Sequence, residues 1–230
     1  DEFALGLGAV CDGKNEFMPN YMIPEYDAVN GRTAYVMYKQ SMNIRPTTGS
    51  VEATLEETYF NRTPDHFCSH QHTPNSPGAD RAGAVLTKNT GYIAWNVFHD
   101  YADKGSYHLK ELVLHMIDNL LGDDRSVKVN LPDRGIVTFT KQEDESRYIA
   151  HLLFAHTSKR GANIEVIEDI IPLCEIKLDA RLPKAPKRVY KAECEDGKIV
   201  TTDLDYKFEN GVASVDVGKV TMHAMVVFDI

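Results

Sequence analysis

A chain of 230 residues with 43% hydrophobic and 26% charged side chains is long enough for one large or two small cored domains, and too apolar for extended disorder. Its formal net charge of −9 excludes the basic face that binding to phosphates needs, so no nucleic-acid partner is expected. No apolar run approaches the roughly 20 residues that span a bilayer, so no membrane partner is expected either.

Four cysteines, Cys11, Cys68, Cys174 and Cys194, are widely spaced with no CxxC pair. That favours a reducing, cytoplasmic setting over a disulfide framework. No secretory signal is legible, and the opening DEFALGLGAV lacks a Met, so the natural start is expected to lie upstream.

In chain order, Phe3 to Val10 reads as a helix end or a strand, followed by the breakers Pro19, Pro24 and Asn30-Gly31. Strands are expected at 33–38 (TAYVMY) and from Val51 to Phe60. A long loop follows from Asn61 to Arg81, with Pro64, Pro74 and Pro77. Ala84–Thr87 and Tyr92–His99 read as paired strands around Asn89-Thr90-Gly91.

The clearest helix starts after Ser106, a suitable N-cap, and ends at Gly122. Leu109, Leu112, Val113, Met116, Ile117, Leu120 and Leu121 mark its apolar face. One good helix can cover only one face of a sheet, so this part is expected to need a neighbour or further elements.

Beyond Asp124 only strand signals occur. They lie at 127–131, 136–141, 147–156, 163–170, 175–182, 187–193, 198–202, 211–217 and 220–228, separated by turns such as Glu195-Asp196-Gly197 and Glu209-Asn210-Gly211. That spacing predicts an antiparallel β-sandwich, with the boundary between residues 122 and 127.

The densest set of chemically capable residues is His66, Cys68, His70 and His72, close to Arg62. Alternating residues of an extended segment share a face, but seven residues at ~3.3 Å each span roughly 20 Å. All four cannot then reach one zinc, and His70 with His72 remain the metal candidates. A polar loop held by hydrogen bonds at an interface is the favoured reading. Cys68 as a nucleophile lacks the flanking glycines of a nucleophile elbow. Trp95 alternates with Ile93 and Val97, as a core residue would.

No carboxylate pair is assignable, because no repeating βα pattern marks a barrel. No catalytic residue is therefore expected in this chain. Walker, GxGxxG, HExxH and EF-hand patterns are missing, and no cofactor is expected.

Two stretches carry a family resemblance. The first is YFNRTPDHFCSHQHTP, Tyr59 to Pro74. The second, Ser146 to Tyr190, includes RYIAHLLFAHTSKRG, IEVIEDIIPL and RLPKAPKRVY. Together they resemble the C-terminal region of bacterial glycoside hydrolases related to the trimerisation-domain beta-galactosidases, within the branch that includes alpha-L-fucosidases. Phe98, Tyr101 and Gly105 fit the same pattern.

The resemblance implies an α/β plus all-β chain. Residues 1–124 would be the C-terminal half of an amidotransferase-like (flavodoxin-like) domain of the trimerisation type, and residues 125–230 a β-sandwich. It implies an accessory and assembly role in a homo-oligomer, beside a catalytic barrel that this chain lacks and that acts on a carbohydrate. The loop holding Arg62, His66, Cys68, His70 and His72 would contribute to the barrel's pocket or to a subunit contact. Two other classes are open: a stand-alone carbohydrate-binding module, with Tyr148, Tyr190 and Tyr206 as stacking candidates, and a metal or cysteine hydrolase centred on Cys68, His70 and His72.

Overall fold

The structure, a computed structural model, describes residues 5–230. The expected element from Phe3 to Val10 lies partly outside them, at Phe3 and Ala4. The chain divides into two compact units, Asp1–Gly122 and Asp123–Ile230.

The first unit is built on one seven-stranded sheet. Its strands are β1 (Ala9–Lys14), β2 (Asn20–Pro24), β3 (Tyr35–Met37), β4 (Met42–Pro46), β5 (Ser50–Thr58), β6 (Asn75–Leu86) and β7 (Gly91–Ile93). They lie in the order β1-β4-β6-β5-β2-β3, with β7 also paired to β6. Every pairing is antiparallel. This corrects the flavodoxin-like expectation on strand direction. Parallel neighbours need a crossover of a dozen or more residues, usually a helix. Here both helices, α1 (Val97–Lys104) and α2 (Tyr107–Leu121), follow the last strand of this unit, so no strand-helix-strand unit can form among its described residues.

The expected strand from Tyr92 to His99 is also corrected. Pairing stops at Ile93, and the chain enters α1 at Val97 with Asn96 in the N-cap position. What pulls this segment into a helix is Asp100. Its side chain is fully buried and accepts the backbone N–H groups of Tyr38 and Lys39, both at 3.1 Å. Gly105 ends α1 in the left-handed region, its N–H donating to Tyr101 O. The loop before β6 is shorter than expected, since β6 begins at Asn75.

Helix α2 spans the expected residues, with Ser106 in the N-cap position and Gly122 beyond its end. Leu109, Leu112 and Met116 are buried and pack with Met22, Met37, Leu55, Ala84, Trp95 and Val97. Trp95 is a core residue. Its ring lies directly over Gly83, where a Cβ would stand 1.9 Å from Cη2. Its Nε1 donates to Asn20 Oδ1 at 2.8 Å. A smaller cluster of Ala9, Ile44, Ala82, Val85 and Ala94 packs beside it. The helices also carry apolar side chains that the first unit leaves exposed, namely Phe98, Tyr101, Tyr107, Leu114, Ile117 and Leu121.

The second unit has eleven strands. They are β8 (Val127–Val129), β9 (Ile136–Gln142), β10 (Arg147–Leu153), β11 (Ser158–Gly161), β12 (Ile164–Val166), β13 (Leu173–Arg181), β14 (Arg188–Glu195), β15 (Lys198–Asp203), β16 (Tyr206–Glu209), β17 (Val212–Val220) and β18 (His223–Asp229). A five-stranded sheet, β15-β14-β18-β10-β9, and a four-stranded sheet, β16-β17-β13-β8, share one core; β11 and β12 form a separate hairpin.

Inward residues alternate along each strand, as in Ala150 and Leu152 of β10, Ala224, Val226 and Phe228 of β18, and Leu178 and Ala180 of β13. Asp196-Gly197 and Asn210-Gly211 all take positive φ at two-residue hairpin turns, the conformation a type I′ turn requires. The strand expected over 163–170 is confined to Ile164–Val166, and β11 and β16 were not read from the sequence. Both are only four residues long. No helix among the described residues is long and apolar enough to cross a membrane.

Candidate functional site

The segment between β5 and β6, residues 59–74, contains Arg62, His66, Cys68, His70 and His72. Both ends are pinned to the sheet. Tyr59 N–H donates to Pro74 O at 3.2 Å, and Tyr21 OH donates to Thr73 O at 2.8 Å. Burial pushes the Tyr21 hydroxyl above the usual phenol range, which keeps it a donor. Asn61 reaches sideways, accepting from Met18 N–H and donating to Glu16 O.

Inside the loop Arg62, His66, Cys68 and His72 each make a side-chain contact. Arg62 Nη1 donates to Gln71 O at 2.7 Å and closes the loop across nine residues. The Cys68 thiol is directed at two carbonyls, His70 O at 3.6 Å and His72 O at 3.7 Å. His66 stacks on Phe60, with ring centroids 3.7 Å apart, and His72 meets the edge of Tyr38 at 5.0 Å.

The structure thus brings Cys68 beside the backbone of His70 and His72, not beside their ring nitrogens. Among the described residues, no group of three or more His, Cys, Asp or Glu side chains could hold a metal ion. What the loop offers outward is a contact surface: Phe67 and Tyr59 are 64% and 63% exposed, next to exposed Arg62, His66 and His70.

The sequence reading missed a polar and aromatic seam under α2. Tyr26 stacks on His115 at 4.1 Å and Tyr35 on His108 at 3.7 Å. Neither buried hydroxyl has a hydrogen-bond partner among the described residues, and burial raises both phenols, with Glu111 adding to the effect. Glu111 accepts from Val29 N–H and meets His108, while His115 pairs with Glu52 at 2.8 Å. Burial pulls the Glu52 carboxyl up, but hydrogen bonds from Ser50 and His115 outweigh it and hold the group below its ordinary range. The only sequence signal was two histidines seven residues apart on the helix.

In the second unit the three candidate stacking tyrosines are already engaged. Tyr148 packs on Phe139 at 5.6 Å, Tyr190 lies under the Arg188 guanidinium at 4.4 Å, and Tyr206 donates to Pro186 O at 2.6 Å.

With this geometry in hand, known structures supply the comparison. The chain matches the alpha-L-fucosidase isoenzyme 2 from Paenibacillus thiaminolyticus over 97% of its own length, at 41% identity and a TM-score of 0.89. The chain resembles part of an alpha-L-fucosidase. It spans about a third of that enzyme, 34% of its length. This is the resemblance that the two sequence stretches carry. Beta-galactosidases from Rahnella sp. R3 and Bacillus circulans sp. alkalophilus align at 10% and 14% identity, with TM-scores of 0.41 and 0.38 and 24% of each enzyme covered. At that level they carry no argument about this chain. No protein-family model matches the chain, and no curated protein sequence does.

Proposed function

We propose that this chain is the accessory, non-catalytic C-terminal region of a glycoside hydrolase of the alpha-L-fucosidase kind, working beside a catalytic barrel in the same enzyme. The observation that carries this reading is the match of nearly the whole chain, at 41% identity, to only a third of a fucosidase. It is supported by the loop at residues 59–74, where the Cys68 thiol is turned to backbone carbonyls and His66 is stacked on Phe60.

In this reading the first unit is the assembly part of such enzymes, of the trimerisation type. That assignment rests on the motif YFNRTPDHFCSHQHTP, because the sheet is antiparallel. The exposed apolar side chains of α1 and α2, with Phe98 at 72% exposure, are suited to burial against the rest of the enzyme or another subunit. The loop with Arg62, His66, Cys68, His70 and His72 shapes the sugar pocket from outside or meets a subunit. The setting is cytoplasmic.

The test is hydrolysis of a panel of chromogenic glycosides, headed by an α-fucoside and a β-galactoside. The chain alone should turn over none of them, and a version extended by a barrel should cleave the α-fucoside. Turnover by the chain alone that vanished in Cys68→Ala or His70→Gln would overturn the reading and place a complete active site here.

A further inference from the structure

The outer face of the five-stranded sheet carries two histidines and a methionine on adjacent strands. Ala150 and Leu152 of β10 and Ala224 and Val226 of β18 point into the sandwich core, so His151, His223 and Met225 stand on the opposite face. His151 Nδ1 and His223 Nε2 are 3.3 Å apart, with ring planes within 12°. The rings meet edge to edge, one nitrogen donating and the other accepting.

Met225 is the direct partner of His151 across the antiparallel pair, which sets their Cβ atoms about 4.5–5.5 Å apart. Met222, whose backbone takes φ +66°, lines the same cleft as His223, with Ile136 and Leu153 as apolar walls.

The geometry points to a binding site for a soft monovalent cation of the copper(I) class, held by His151, His223 and the thioether of Met225. Two imidazole nitrogens bonded to one metal at about 2.0–2.1 Å, with angles between tetrahedral and trigonal, lie roughly 3.3–3.6 Å apart. The observed spacing falls in that range, so modest turns of two solvent-reaching rings would aim both lone pairs at one ion. The ion replaces the single proton now between the nitrogens.

The third ligand decides the metal. A thioether selects copper(I) over hard cations, and imidazole suits copper. In the cleft that His223 lines, the carboxylate Glu165 is already engaged by Arg134 and Thr157. None of this depends on the sugar chemistry proposed above.

The test uses the full 230-residue chain, its cysteines alkylated so that thiols do not compete. It is labelled with 13C in the methionine methyl groups and titrated with silver(I), a redox-stable stand-in for copper(I). The Met225 methyl and the ring signals of His151 and His223 should shift together and saturate at one ion per chain. His151→Gln, His223→Gln and Met225→Leu should each weaken binding by roughly tenfold or more. Circular dichroism checks that each variant is folded, and the near-isosteric Met225→Leu tests the thioether where a histidine variant unfolds. Shifts confined to other methionines, affinity unchanged in folded variants, or zinc(II) bound more tightly than silver(I) would overturn the site.

Discussion

The indole N–H of Trp95 donates to Asn20 Oδ1, and neither side chain reaches solvent to any useful degree. Asn20 in turn donates to Ser41 Oγ at 2.6 Å and to Phe17 O at 3.1 Å, so one amide ties three segments to the core of the first unit. Asn20→Ala strands the indole N–H in an apolar setting. It should cost about 1–3 kcal/mol, read as a lower denaturant midpoint, with a blue shift in the fluorescence of this single tryptophan. Asn20→Asp keeps an acceptor and should leave the fluorescence closer to that of the native chain.

Gly83 faces the same ring from the other side. A Cβ there would lie 1.9 Å from Trp95 Cη2 and 2.5 Å from Cζ3, distances that no small adjustment relieves. Gly83→Ala should therefore destabilise by the ~1–3 kcal/mol of an overpacked core, or more. Added to Trp95→Phe, which removes the clashing atoms, the same substitution should cost less than in the native chain. A double-mutant cycle measures the difference; equal costs in both backgrounds would show that Trp95 is not what excludes a side chain.

The sandwich was legible because its signals are local. Alternation along β10, β13, β17 and β18 and the Asp-Gly and Asn-Gly turns each act over a few residues. So was α2, whose apolar spacing covers its full length. The first unit was harder, since its direction of pairing depends on where helices fall between strands, and the sequence around Trp95 reads equally as strand. Only a long-range contact decides it, the grip of Asp100 on the N–H groups of Tyr38 and Lys39, some sixty residues away. The 59–74 loop was legible as a cluster of reactive residue types. Their tasks were not, because a thiol aimed at backbone carbonyls has no sequence signature.

Asp100 makes the stability of the first unit depend on pH. Burial lifts its carboxyl above the ordinary carboxylate range, against the pull of the Lys39 and Tyr38 N–H groups and of nearby positive charge. An acid whose native value is raised contributes stability that is present below the unfolded value, near 3.8, and is lost as pH rises through the native value. The stability of the native chain relative to Asp100→Asn should accordingly fall as pH rises from about 3.8 through the raised native value, then level off. Asp100→Ala removes the acceptor for both N–H groups and should cost about 1–3 kcal/mol at acid pH, and less once pH has risen through the native value. Urea titrations across pH check both. An Asn variant tracking the native chain at all pH values would remove Asp100 as the source.

Arg62 offers the cleanest way to loosen the 59–74 loop without touching the core. Its guanidinium is exposed, and its bond to Gln71 O is the link that spans the loop. Arg62→Ala should leave global stability within about 0.5 kcal/mol, as for a surface change, while amide exchange and proteolysis speed up between Asn61 and Thr73. Cys68→Ala, which removes only two weak thiol bonds, should have a smaller effect on the same readouts. In a barrel-extended enzyme, a drop in α-fucoside turnover for Arg62→Ala at unchanged stability is expected if the loop shapes the pocket. A drop in oligomer stability at unchanged turnover would instead assign the loop to a subunit contact. Neither change, in a loop shown by exchange to have opened, would remove this segment from the enzyme's function.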